Sequence, residues 1–193
     1  QHELKNHMAA IFSAHYTYKS YEQLVKIQDE YCRKLMDENK YNNLLMIDNN
    51  ILAGYLYQKF NEANVDGIEI RYKVEKVENL AVPMFYVIEM IGILLDNAVE
   101  ETKSNNDKTL IFEIYNMEEE YAFCVKNRTS YVPYDELVRW FELDDTKKGK
   151  GRGLGLFHLK KLCSELHCKI ECRNIEIEES NWIEFVLLIK KDG

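Results

Sequence analysis

Apolar residues recur at helical spacing from Glu3 to about Glu38, with one weak break near Thr17–Ser20. That pattern predicts two antiparallel helices joined by a short turn. Such a pair has little core of its own, so it is expected to dimerise into a four-helix bundle. A polar, turn-like stretch follows at Asn39–Asn43. Ile47–Asn64 then reads as a further helix, with Ile51, Leu52, Tyr55, Leu56 and Phe60 on one stripe. Next the period changes. Ile68, Ile70, Tyr72 and Val74 alternate with Glu69, Arg71, Lys73 and Glu75, the mark of a half-exposed strand.

Pro83 opens a strongly apolar helix that runs to about Thr102. Two alternating runs, Thr109–Tyr115 and Tyr121–Lys126, flank the acidic turn Met117–Glu120 and predict a β-hairpin. Pro133 starts a short helix to about Phe141, and the chain then loosens into LDDTKKGKGRG. A helix is predicted over Gly153–Leu166, and strands over Lys169–Arg173 and Trp182–Lys190. Together these elements make an α+β chain. A helical hairpin occupies residues 1–40, and a layer of helices on one face of a largely antiparallel sheet occupies 41–193.

Composition narrows the function. A length of 193 residues holds one large or two small domains. A net charge of −8 with no compensating basic stripe argues against a nucleic-acid partner. Five cysteines, an odd number without C-x-x-C spacing, read as free thiols of a reducing compartment. Cys163 to Cys172 read as packing residues, and Trp140 and Trp182 as core or edge packing. The longest apolar run, Pro83–Leu95, is interrupted by Glu89 and too short to cross a bilayer. The chain starts at a glutamine in mid-pattern, so a cytoplasmic fragment of a cell-membrane protein is expected, its N-terminal sensor missing.

The opening QHELKNHM comes within one residue of H-E-x-x-H, the helical zinc-protease signature. On a helix each residue turns by about 100°. Position i+4 from His2 is Asn6, while His7 stands at i+5, roughly 140° away, so the two imidazoles cannot share an ion. Leu4, Met8 and Ile11 form the apolar stripe, and His2, Glu3 and Asn6 are presented away from it. Two readings remain open on this ground alone: a solvated polar face, or a reactive imidazole with a proton-handling neighbour. His7, His15, His158 and His167 read as structural or surface histidines.

Two further stretches carry chemistry. In GILLDNAVEE, Gly92 to Glu101, the apolar face is broken by Asp96 and Asn97 together. A carboxamide there costs stability unless it is used, and its oxygen is a hard neutral ligand suited to Mg²⁺. An asparagine back-bonding near a helix end is the plainer alternative. In TKKGKGRGLGL, Thr146 to Leu156, glycines alternate and feed straight into a helix N-terminus, whose dipole favours anions. Lys147, Lys148, Lys150 and Arg152 add positive charge, which in so acidic a chain points to a phosphate site. No strand precedes the glycines and no G-K-[ST] is present, so neither the dinucleotide fingerprint nor the Walker loop applies.

Taken together, G-I-L-L-D-N-A-V-E-E and T-K-K-G-K-G-R-G-L-G-L resemble the N box and glycine box of the GHKL ATPase fold. H-E-L-K-N resembles the phosphoacceptor motif of a sensor histidine kinase. Asn127, closing AFCVKN, stands where that family begins D-x-G-x-G. The resemblance spans the whole chain and is closest to the Agr-type kinases of Gram-positive bacteria, which sense peptide pheromones and typically carry asparagine there. It implies a hairpin for dimerisation and phosphotransfer followed by a GHKL/Bergerat α/β sandwich that binds ATP and Mg²⁺.

The resemblance also implies the site. His2, Glu3 and Asn6 would be catalytic. His2 would accept the phosphoryl group, Glu3 would orient the ring or take its proton, and Asn6 resembles the residue that positions water for phosphatase activity. Asn97 would ligate Mg²⁺. Glu101, Asn127, Lys148, Gly151, Arg152, Gly153, Leu154 and Gly155 would bind ATP. The implied partners are a second copy, joined through the hairpin, and the receiver domain of a response regulator, with a membrane met only through the missing sensor.

Three departures stand out. Asn127 lacks the charge of the aspartate it replaces, the glycines that should follow it are Arg128–Thr129–Ser130, and Glu100 takes the place of a common lysine. Ile93 stands where water-using GHKL ATPases carry an acidic base, which favours transfer to a protein residue. A degenerate nucleotide-binding scaffold, or a GHKL serine kinase or ATPase, are the alternatives.

Overall fold

Alternating strands and one long apolar helix set the architecture, because each has a face that must be covered. The computed structural model of the chain describes residues 41–142 and 154–192. The chain divides after Leu45, and the unit from Met46 onward carries all the elements below. The predicted hairpin at 1–40 lies outside the described residues.

Helix α1, Asn50–Val65, starts where the Asn49 side chain accepts the Leu52 N–H at 3.0 Å. That cap moves the start three residues past the predicted Ile47. It ends at Gly67, whose φ of 78° lets the chain reverse and whose N–H reaches the Asn64 carbonyl at 3.0 Å. Strand β1, Glu69–Val74, follows, and then helix α2, Met84–Ser104. The buried stripe of α2 comprises Val87, Met90, Ile91, Leu94, Leu95, Ala98 and Thr102, the helical spacing read from the sequence. Strands β2, Thr109–Asn116, and β3, Glu120–Arg128, form the expected hairpin. Helices α3, Tyr134–Arg139, and α4, Leu154–Glu165, precede strands β4, Lys169–Ile177, and β5, Ser180–Lys190.

The five strands form one sheet in the order β1-β2-β3-β5-β4, with only β1 and β2 parallel. Their parallel pairing follows from the long α2 crossover between them. Strand β4 runs four residues past its predicted end. Residues 178 and 179 close a two-residue turn with φ of 51° and 58°, and both are glutamate. Two such angles define the primed hairpin turn, whose usual signal is Asn-Gly or Asp-Gly, so the turn was invisible in sequence.

Phe112, Val125, Phe185 and Cys172 form one row across the sheet. Phe60 of α1 meets Phe112 edge-on at 5.5 Å, and Trp140 beyond α3 stacks on Phe185 at 6.2 Å. Both helices therefore cover the same face. On the other face Lys126, Glu184 and Arg173 alternate in charge across three strands. Lys126 lies 3.3 Å and Arg173 2.6 Å from Glu184, which is only 5% exposed. This paired row is how a carboxylate tolerates burial there.

Candidate nucleotide site

Helix α2 divides the work of its two adjacent polar residues. Asp96 turns toward α1 and receives Lys59 at 2.8 Å, while one turn back the Tyr55 hydroxyl rests against Gly92, 2.4 Å from where a Cβ would stand. Lys103 continues this side with Asp66 at 2.7 Å. The partners advance in step along both helices, so α1 and α2 run parallel. Burial works against the Lys59 charge, but the hydrogen bond and charge of Asp96 outweigh it and hold the ammonium above its usual range. Asp96 is thus a structural anchor.

Asn97 turns the other way, toward the start of α4. A Cβ on Gly155 would sit 3.3 Å from Ile93 Cγ2 and 3.9 Å from Asn97 Nδ2, so the glycine at the start of α4 packs beside Ile93 and Asn97. The Asn97 Nδ2 is buried without a hydrogen-bond partner. The residue as a whole is half-buried, and its carbonyl oxygen is not among the buried unpartnered atoms. Among the described residues no group of three His, Cys, Asp or Glu could hold a metal. A single amide oxygen that leaves the other positions to water and phosphate is a donor set magnesium accepts, and it fits. Glu101 follows one turn later on the same stripe, and Leu154 is exposed at the first position of α4.

The other end of the site is built on β3. Asn127 is its penultimate residue, 2% exposed, on the helix-covered face between Leu110 and Ile183. Its Nδ2 makes a long 3.5 Å bond to the Arg128 carbonyl. The Arg128 carbonyl also accepts Asn105 Nδ2 at 2.7 Å, which ties the end of β3 to the C-terminal end of α2. Asn97 and Asn105 are separated by roughly 12 Å along the helix at 1.5 Å per residue. Asn127 and Asn97 thus mark two ends of one elongated strip. The Arg128 guanidinium reaches Asp107 at 3.1 Å and Ser180 at 2.7 Å. Thr109 first, and Arg128 with it, holds the Asp107 carboxyl below its usual range against the opposing effect of burial.

The structure therefore brings Asn97 and Gly155 together, with Glu101 beside them and Asn127 at the far end. His2, Glu3, Asn6, Lys148, Gly151, Arg152 and Gly153 lie outside the described residues. His158, read as a surface histidine, has Nε2 2.9 Å from Glu89 Oε1. Sequence reasoning missed Lys59 and Tyr55, which hold α2 in place from a helix distant in sequence. It also missed Asn174 and Asn181, whose side chains grip the segment after Asn127. Neither pair has a local signal.

Comparison with known proteins now bears on this geometry. The chain is 25% identical to the sensor protein CitS of Bacillus subtilis (strain 168) over 198 aligned residues, covering 99% of this chain and 35% of that protein. It thus spans about a third of the length of that curated relative. The catalytic domain of the histidine kinase ThkA superposes with a TM-score of 0.58 at 18% identity, over 72% of this chain and 92% of that one. Full-length ShkA, solved in complex with AMPPNP, gives 0.56 at 17% identity, over 91% of this chain and 40% of that one. At these identities the likeness is one of fold. The GHKL domain family matches residues 82–189, from just before α2 to the end of β5 and more than half the chain. The chain accordingly belongs to the GHKL domain family and has the architecture of a sensor histidine kinase catalytic core.

Proposed function

We propose that this chain is the catalytic core of a two-component sensor histidine kinase, which phosphorylates its own His2 from MgATP and passes the group to an aspartate of a response regulator. One observation carries the reading: Gly155 of the glycine box packs beside Asn97, whose amide nitrogen is buried without a hydrogen-bond partner. Two motifs some fifty residues apart in sequence thereby share one site. Residues 1–40 would be the dimerising, phosphoaccepting domain and 41–193 the ATP-binding domain.

Bound MgATP would supply the phosphoryl group and the cation that screens its charge. The protein's task is positioning and charge neutralisation. Asn97 would hold the cation through its amide oxygen, with Glu101 on the same stripe. Lys148 and Arg152, with the N–H groups of Gly151, Gly153, Leu154 and Gly155, would hold the phosphates. Asn127 would accept the amino hydrogen of the adenine, without an aspartate's charge.

His2 attacks phosphorus with a neutral ring nitrogen. The N–P bond forms as the bond to the ADP oxygen breaks, and Glu3 orients the imidazole and receives its proton. Asn6, one turn on, would place water for a separate phosphatase reaction, in which water takes the phosphoryl group and releases inorganic phosphate. Asn127 also supports placement among Agr-type, pheromone-sensing kinases, in a fragment whose sensor meets the membrane and whose hairpin joins two copies.

Incubation with γ-labelled ATP and Mg²⁺ should give acid-labile, base-stable label on the wild type and none on His2→Gln. Label that survives the substitution would sink the phosphoacceptor assignment. The altered adenine motif, Asn127 followed by Arg128–Thr129–Ser130 in place of glycines, favours one second reading, a degenerate scaffold that binds nucleotide weakly without transfer. That reading is reached if nucleotide binds and no label forms.

A further inference from the structure

The segment after Asn127 has lost the glycines of the resembled motif, yet it is tethered by side chains of β4 and β5. Asn174 of β4 grips Val132 at both ends of its backbone. Its Oδ1 accepts the Val132 N–H at 3.0 Å, and its Nδ2 donates to the Val132 carbonyl at 2.8 Å. Asn181 of β5 stands behind it, donating from Nδ2 to Asn174 Oδ1 at 3.1 Å and to the Thr129 carbonyl at 3.4 Å. The Asn181 carbonyl accepts the Thr129 N–H at 3.1 Å. Two side-chain amides thus supply the bonds that a neighbouring strand would otherwise provide.

Their place in the sheet gives this tether a purpose. Asn127, Ile183 and Asn174 are register partners in one row on the helix-covered face. Two strand spacings put Asn174 roughly 10 Å from Asn127. The 128–132 segment bridges that interval, from the end of β3 to the Val132 anchor on β4. It is the backbone next to Asn127 on the side facing the helices. A glycine-rich segment approaches a ligand by having no side chains. Arg128, Thr129, Ser130 and Tyr131 cannot, so this backbone must be held at a set distance instead.

We propose that Asn174, supported by Asn181, is a positioning residue that fixes the 128–132 arch as the wall of the base-binding end of the nucleotide site. The inference rests on the nucleotide-binding reading above. It assigns to two asparagines of the β4–β5 hairpin the role that glycines fill in the resembled motif. Neither residue touches the nucleotide. Their effect is on the base and not on the phosphates.

The test uses the whole chain and calorimetric titration with MgATP and with magnesium tripolyphosphate, which has the phosphates and no base. Asn174→Ala should weaken MgATP binding about tenfold, the effect of one lost hydrogen-bonded support. Tripolyphosphate affinity should not change, and amide exchange at Thr129 and Val132 should accelerate. Asn181→Ala removes only the outer layer and should do the same to a smaller degree. It carries the test if Asn174→Ala does not fold.

The proposal is overturned if the variants bind MgATP like the wild type, or if they lose MgATP and tripolyphosphate equally. It is also overturned, with the phosphate end intact, if the wild type binds both ligands equally well. A wild type that binds neither overturns the nucleotide reading itself.

Discussion

At the scale of single residues, Asp96 and Asn97 show how much neighbouring positions can differ. Both break the same apolar helix face in sequence, yet one is an ion-pair anchor on Lys59 and the other packs beside Gly155. A turn of about 100° between them is the whole cause. Asn127 allows a sharper experiment. A carboxylate only accepts hydrogen bonds, whereas a carboxamide can also turn to donate, as a guanine carbonyl would require. Its amide nitrogen makes a long 3.5 Å contact to the Arg128 carbonyl. Asn127→Asp is therefore expected to lower the Kd for MgATP several-fold, through a charge-assisted bond, and to widen the preference over MgGTP. Competition titration of both nucleotides measures this. Weaker ATP binding, or an unchanged ratio, would remove Asn127 from the base-binding role.

At the scale of elements, the parallel α1–α2 pair is the support on which Asn97 is presented. The helices close because position 92 is glycine, which admits the Tyr55 hydroxyl onto the α2 backbone. Burial pushes that phenol upward in pKa, consistent with its place inside the interface. Gly92→Ala is expected to lower stability by about 1–3 kcal/mol, the usual range for forcing a methyl into packed space. Adding Tyr55→Phe should recover most of the loss, because the remaining ring carbon stands at an ordinary 3.6 Å from the new methyl. Denaturant midpoints of the single and double variants decide it, and additive losses would mean the two residues do not oppose each other.

The elements themselves were largely legible in sequence, since burial of one face imprints period 2 or 3.6 on the chain. The ends were less so. Asn49 is a favoured capping residue but stands beside two others, Asp48 and Asn50, and the Glu178–Glu179 turn lacks the usual asparagine or glycine.

At the scale of the whole molecule, the described thiols report the sheet-and-helix packing. Cys124, Cys163, Cys168 and Cys172 are free. Burial pushes Cys124 up to about 11 and Cys163 and Cys172 up to about 12, from 9.0. Burial likewise carries Tyr115, hydrogen-bonded to Glu113, to about 12. Each folded-state value lies above the unfolded one, so the unfolded chain releases protons first as pH rises. Their stabilising contribution is complete below about pH 9 and falls between pH 9 and 12. Unfolding midpoints followed across that window should decline steadily, and a flat profile would contradict the burial of these groups.

By itself the sequence determined the α+β class, the order and type of the elements, and the two motifs that meet at the site, because periodicity and glycine spacing are local. Only the tertiary structure decided which face each polar residue serves and that Gly155 packs beside Asn97. It also decided that Asn174 and Asn181 hold the backbone beyond Asn127. Those contacts join residues about fifty positions apart, and strand register and helix rotation are set by the packed core as a whole.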